Sequence, residues 1–216
     1  GQMIISGMGE LHIEVLVERL RREQKLSVKL GQPEVAYRET ITAPADGEGK
    51  FVRQSGGRGH YGHVILRLEP MARGSKFSFA NEVRHNDIPQ QFIPAVEEGI
   101  REAMDVGTLA GFPVIDVAAV VTGGSSHPVD SNDVAFKIAA SMALKPAYKK
   151  ASPVPLEPIM PIEVPAPEEF LGEVIGDLNA RRARIEHLDS PGTTKVITGT
   201  VPLRTIFGYA TSIRSL

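Results

Sequence analysis

The stretch Gly57-Arg58-Gly59-His60-Tyr61-Gly62 is the first place where residue types and spacing could do chemistry. Its glycines fit G-x-G-x-x-G, and Val64 extends the fit to the form G-x-G-x-x-G-x-V that covers nucleotide phosphates in kinases. A dinucleotide fingerprint needs a helix opening directly after the glycines, because the helix N-terminus holds the pyrophosphate. The glycines lead instead into HVILRLEP, whose alternation predicts a strand. The strand suits the kinase form, but no V-A-I-K lysine, H-R-D or D-F-G comes after it. Two readings stay open. The run is a hairpin loop that uses glycine for positive φ, or it is an exposed ring of backbone amides with Arg58, His60 and Tyr61, fit to meet phosphates and stack on bases.

A second stretch, Gly123-Gly124-Ser125-Ser126-His127-Pro128, joins an apolar run to a helix. It reads either as a flexible connection or as a small-residue tip presenting one histidine. The remaining chemistry is mostly excluded. No G-x-x-x-x-G-K-[ST] occurs, so no phosphate loop is expected. His60 and His63 form H-x-x-H without an indicated third ligand, which argues against zinc. No Ser/His/Asp order suggests a nucleophile, and the absence of cysteine removes thiol chemistry and disulfides. His12 and His187 read as surface or structural residues. Arg181 and Arg182, ending a helix, read first as partners of its dipole and second as RNA contacts.

The elements that position these residues are read from composition and periodicity. The 216 residues are 42% hydrophobic and 23% charged with a net charge of −2, an ordinary globular composition. No apolar run reaches the ~18–20 residues of a membrane span, and no secretory leader is read. Between residues 49 and 68 stand Lys50, Arg53, Arg58 and Arg67 with no acid. GELHIEVLVERLRRE predicts a helix with Leu11, Val15 and Leu20 on one face and a Glu18–Arg22 pair, and SVKL a short strand. VAYRETIT, KFVRQSG, HVILRLEP and KFSFANEV predict strands, the middle two a hairpin. Pro94 opens a helix with Val96, Ile100 and Met104 inward, ended by Gly107 and Gly111. FPVIDVAAVVT predicts a buried strand. Asp130 or Ser131 then caps a helix with Val134, Ile138 and Met142 inward, which Pro146 should kink or end.

The proline run Pro153, Pro155, Pro158, Pro161, Pro165 and Pro167 predicts a stiff linker entering a strand. Beyond it the pattern is strand (159–165), helix (168–181), strand (183–188), strand (194–201), helix (203–213). That is a ferredoxin-like split βαβ order without its final strand. The expected domains are 1–31, 32–152 and 153–216, the first too small to bury a core alone.

Several long motifs, taken together, resemble translation elongation factor G of bacterial or organellar type. They are SGMGELHIEVLVERL, GQPEVAYRETI, KFVRQSGGRGHYGHV, IPAVEEGIREAM, HPVDSNDVAFKIAASMALK and EPIMPIEVPAPEEFLGEVIGDLNARR. They run in order through the end of that family's third domain, its fourth and most of its fifth. The resemblance implies an α/β and α+β fold: an elongated, ribosomal-protein-like fourth domain with a mixed sheet and crossover helices, then a ferredoxin-like domain. It implies a translational GTPase that moves tRNA and mRNA on the ribosome, with recycling or ribosomal-protection relatives of the same architecture as the alternative. GTP and magnesium would belong to an N-terminal domain outside these residues, so this segment alone should hold no cofactor and show no activity. The implied RNA-binding tip comprises Ser55, Gly56, Gly57, Arg58, Gly59, His60 and Tyr61 in one loop and Gly124, Ser125, Ser126 and His127, after Gly123, in the other. Arg181 and Arg182 are the implied rRNA contacts of the last domain. The implied partners are rRNA of both subunits and the tRNA–mRNA of the decoding site, with no membrane, in a monomeric protein of the bacterial cytoplasm or an organellar matrix or stroma. The sequence departs from the family pattern at His60, where glutamine is expected, at Ser126, where an aromatic is common, and at Pro128 and Pro146.

Overall fold

The computed structural model describes residues 5, 7, 10–27, 31, 34–54, 57, 59–189 and 194–213. Residues 28–30 of the expected SVKL strand, and Ser55, Gly56 and Arg58, lie outside the described residues. In chain order the elements are α1 (Glu10–Arg22), β1 (Arg38–Ile41), β2 (Ala45–Arg53), β3 (His60–Pro70), β4 (Phe77–Asn81), α2 (Ile93–Val106), β5 (Val117–Ser125), α3 (Asp133–Lys150), β6 (Pro153–Leu156), β7 (Ile159–Pro167), α4 (Leu171–Ala180), β8 (Arg184–Asp189), β9 (Thr194–Pro202), α5 (Leu203–Ile206) and α6 (Tyr209–Ser212). They form two units, Tyr37–Leu156 and the combination of Gly1–Ala36 with Glu157–Leu216.

In the unit Tyr37–Leu156 the expected hairpin is present: β2 and β3 pair antiparallel, Arg53 opposite His60 and Ala45 opposite Leu68. The sheet order is β2-β3-β5-β4, with β4 parallel to β5 across the α2 crossover. Gly62, Val64, Leu66 and Leu68 of β3 are buried, and the residues between them are half-buried, as a one-sided sheet requires. The core packs Val64, Leu66, Val117, Ala119 and Val121 against Val96, Ile100, Met104 and Phe136. The inward Val96, Ile100 and Met104 of α2 are buried and the helix ends at Gly107 with φ +71°, and its outer face carries a Glu97–Arg101 pair at 2.7 Å.

Helix α3 departs from the sequence reading in three ways. Asn132, not Asp130 or Ser131, caps it, its side chain accepting from the Ala135 N–H at 3.0 Å. Val134 and Met142 are exposed, and the buried face is Ala135, Phe136, Ala139, Ala140, Ala143, Leu144, Ala147 and Tyr148. The reason is the sheet beneath. A Cβ on Gly47, Gly49 or Gly62 would stand within 3.0 Å of α3 backbone atoms, so helix and sheet approach closely and alanines occupy the points of contact. Third, the helix continues through Pro146 to Lys150. Asn132→Ala should lower the unfolding free energy by about 1 kcal/mol, and Asn132→Asp by less, in urea titrations of both variants.

The expected linker prolines Pro153 and Pro155 belong to β6, which pairs with β1 from Arg38–Leu156 to Ile41–Pro153. Glu39 of β1 is fully buried.

In the other unit the sheet order is β7-β9-β8, all antiparallel, the strand arrangement of a split βαβ. Val164, Ala166, Val174, Leu178, Ile197 and Tyr209 form its core. The helix expected over 203–213 is two short helices separated at Gly208, whose φ of +73° breaks the run. In α1 the Glu18–Arg22 pair forms at 2.6 Å, but Val17 is the buried residue and Val15 is 44% exposed. The side chain of Leu11 lies outside the described residues.

Candidate nucleic-acid interface

The two candidate stretches meet at one end of the four-stranded sheet, and much of each is strand. His60 and Tyr61 open β3, and Gly123, Gly124 and Ser125 end β5, so the connection itself is residues 126–131. The β5 end is held close. A Cβ on Gly124 would collide with the His63 carbonyl, and the register shifts between Ile65 and Leu66.

Several bonds tie the segments together across about seventy residues of sequence. Asp130 Oδ1 accepts from the Gly59 N–H at 3.0 Å and its carbonyl from the Tyr61 N–H at 2.8 Å. Ser131 Oγ donates to the Tyr61 carbonyl at 3.1 Å, and the Asn132 amide lies 3.0 Å from His60 Nδ1. His127 folds back on its own turn, where its Nδ1 accepts from the N–H groups of Val129 and Asp130 at 3.3 and 3.2 Å. The same Nδ1 lies 3.3 Å from Asp130 Oδ2. The His127 ring lies 6.1 Å from that of Tyr61, and Lys50 Nζ is 5.5 Å over the Tyr61 ring.

Of the expected tip residues, Gly57, Ser126 and His127 are exposed. Gly59 is buried against Asp130, and His60, Tyr61, Gly124 and Ser125 are half-buried. Gly62, the last glycine of the motif, faces the carbonyl of Ala135 in α3 and serves packing. The motif opens a strand, so the helix-dependent dinucleotide reading fails. The sequence reading misses Glu48, names Lys50 only as a cation of the acid-free window and His63 only as half of H-x-x-H, and does not see Asp130 as the tie between segments. Pairing between distant segments brings them together, and no local signal shows that.

The acid-free window is not acid-free in space. Arg67 pairs with Glu69 at 2.7 Å and with Glu82 at 3.2 Å, and these carboxylates, Glu69 foremost, hold it further in its charged form. Glu48 pairs with His63. Among the described cations of that window, Lys50 and Arg53 are the ones with no carboxylate within salt-bridge distance.

In the last segment Arg181 is engaged within its own unit. It bonds Asp177 at 2.8 Å and the Thr205 carbonyl at 2.8 Å, and stacks 5.0 Å over Tyr209. Arg182, at φ +63°, pairs with Glu157 at 3.1 Å and keeps an exposed side chain. Among the described residues no three His, Asp or Glu side chains are grouped to hold a metal, and no helix is long and apolar enough to cross a membrane.

The α/β unit bearing this tip, together with the split βαβ unit, gives the chain the make-up of a multidomain factor. The sequence matches the family models "Elongation factor G, domain IV" over residues 33–152, "Elongation factor G C-terminus" over 154–216 and "Elongation Factor G, domain III" over 1–32. It is 57% identical to elongation factor G of Thermotoga petrophila over 218 aligned residues, covering 100% of this chain and 31% of that protein. Identity to elongation factor G of Fervidobacterium nodosum is 55%, again over 100% of this chain and 31% of that protein. A crystal structure of a Thermus thermophilus protein superposes with a TM-score of 0.86 at 45% identity, covering 97% of this chain and 31% of that one. The chain belongs to the elongation factor G family and spans about a third of the length of the curated relatives it matches.

Proposed function

We propose that the chain is the C-terminal part of a ribosomal translocase that promotes tRNA–mRNA movement after peptide-bond formation, in the bacterial cytoplasm. In this reading the tip around Tyr61 and His127 enters the decoding site of the small subunit. The last unit sits against rRNA of the large subunit, with Arg182 better placed than Arg181 to reach it. GTP and magnesium act in a nucleotide-binding domain elsewhere in the parent protein. The observation that carries the reading is the convergence of both stretches on one rigid sheet end, where an exposed imidazole and a phenol ring stand beside Lys50. Such a surface can stack on a base or donate to a phosphate or 2′-hydroxyl.

The test is His127→Ala in the full-length factor, followed by single-turnover translocation beside single-turnover GTP hydrolysis. Loss of one stacking contact of about 1–3 kcal/mol should slow translocation by about tenfold while hydrolysis stays near wild type. The variant gives up turn bonds at an exposed site, so its folding stability should fall by no more than about 1 kcal/mol. If translocation and hydrolysis fall together, or only stability falls, the tip is structural.

A further inference from the structure

The polar face of the sheet carries a hydrogen-bonded row that the tip contacts above do not use. Tyr61 Oη lies 2.8 Å from Ser125 Oγ, and that oxygen lies 2.8 Å from His63 Nδ1. His63 Nε2 in turn lies 2.9 Å from Glu48 Oε1. Three strands contribute. Glu48 comes from β2, Tyr61 and His63 from β3, and Ser125 from β5 directly opposite His63. Lys50, opposite His63 on β2, is the charged neighbour on the other side.

The chemistry of these groups fixes the direction of the row. An ionised carboxylate only accepts, so the His63 proton sits on Nε2 and points at Glu48. In the neutral ring Nδ1 is then bare, and the Ser125 hydroxyl must donate to it. The Ser125 oxygen is left to accept from Tyr61. Each O–H is oriented by the group before it, from Glu48 outward, and the one phenolic proton of Tyr61 is held inward. Toward a partner the phenol offers only lone pairs.

We propose that Glu48, acting through His63 and Ser125, is a positioning residue that makes the Tyr61 hydroxyl an acceptor toward nucleic acid. An acceptor at this place selects a donor, and the donor that an A-form surface displays at every nucleotide, whatever the base, is the ribose 2′-hydroxyl. A phosphate oxygen, which can only accept, is refused. This rests on the reading of the tip as an RNA contact and names the group that it recognises.

The test measures binding of the full chain, by fluorescence anisotropy, to a short RNA duplex and to its fully 2′-O-methylated counterpart. Methylation keeps the A-form but removes the donor. Wild type should prefer the unmodified duplex by about three- to tenfold, the span of one hydrogen bond. In Tyr61→Phe the preference should vanish, and in Glu48→Gln, where the amide no longer dictates the imidazole tautomer, it should at least halve. His127→Ala should weaken binding to both duplexes and leave the preference in place. A second readout is the His63 tautomer by nitrogen-15 NMR, expected with Nε2 protonated and Nδ1 bare in wild type and mixed in Glu48→Gln. Binding without a preference, a preference that survives Tyr61→Phe, or a protonated Nδ1 with bare Nε2 in wild type overturns this proposal alone. Absence of binding to either duplex overturns the reading of the tip and this proposal with it.

Discussion

Replacing Glu39 by glutamine is expected to cost about 3–5 kcal/mol of folding stability, because several buried donors then lose their acceptor. Glu39 Oε1 accepts from the N–H groups of Ala110 and Phe112 at 2.7 and 3.1 Å. Oε2 accepts from Leu109 and Thr108 at 3.1 and 3.3 Å and from the Tyr148 hydroxyl at 3.0 Å. One carboxylate thus holds the turn after α2, the strand β1 and the last turns of α3. A glutamine would aim an amide N–H at N–H groups on one side. Burial alone would push the Glu39 carboxyl up, but the backbone N–H groups and Tyr148 outweigh it and hold the group below its ordinary value of 4.5. Between the folded value and 4.5 the unfolded chain binds a proton that the folded chain does not, so stability rises with pH there. The contribution is complete above that interval and is lost as pH falls through the folded value. Burial and donation to Glu39 push the Tyr148 phenol up, so it remains a donor throughout. Urea titrations at pH 7 and near pH 4 check this. Wild type should lose more stability between the two than Glu39→Gln does, and Tyr148→Phe should cost only about 1 kcal/mol at pH 7. Equal losses in wild type and Glu39→Gln would assign the acid sensitivity to other groups.

Where structure arises from local pattern, the sequence is a sufficient guide. The β2–β3 hairpin is legible because alternating runs flank a glycine turn. Helix α2 is legible because Val96, Ile100 and Met104 repeat at helical spacing between a proline and a glycine. Helix α3 defeats the same reasoning. Val134 and Met142 face solvent because the helix turns its alanines onto the glycines of β2 and β3, where the two elements approach most closely, and buries Phe136, Leu144 and Tyr148 on the same side. Residue hydrophobicity carries no information about the depth of a slot on another element. Pro146 misleads similarly. It removes one N–H, yet the turn beyond it is anchored by Tyr148 on Glu39, and the helix continues. At the tip the glycine motif shows where the chain turns. That Asp130 holds Gly59, that β5 runs to Ser125, and that Glu48 reaches His63 all depend on strand pairing between distant segments. Glu39 gives no signal at all, since a single acid in an alternating strand looks solvent-facing until the turn at 108–112 closes over it.

The glycine slot beneath α3 makes Gly49→Ala the second large effect. Glycine within a strand ordinarily weakens it, and alanine is expected to gain about 0.5–1 kcal/mol where space allows. Here a Cβ would stand within 3.0 Å of the Ala139 carbonyl oxygen and the Ala143 nitrogen, both backbone atoms of one helix. Neither can yield without α3 moving off the sheet, and overpacking of this kind costs about 1–3 kcal/mol or more. The expected loss is therefore about 3 kcal/mol, with Gly47→Ala and Gly62→Ala in the same direction. Gly176→Ala is the control. It lies in α4 with nothing within 4 Å of the added atom, and should gain about 0.5–1 kcal/mol from helix propensity. A second control separates clash from general strand sensitivity. Ala143→Gly should not rescue Gly49→Ala, because the obstructing atoms are backbone and remain when the side chain is removed. Rescue would mean that side-chain volume, and not the approach of the helix axis, sets the spacing. The displacement should also be felt at the tip, since α3 begins at the cap residue Asn132, which bonds His60, next to Asp130, which holds Gly59. Amide exchange at Gly59 and Tyr61 should therefore quicken in Gly49→Ala and stay unchanged in Gly176→Ala. If Gly49→Ala instead equals or exceeds wild type in urea titration, the helix–sheet contact is looser than described and the alanine face of α3 requires another cause.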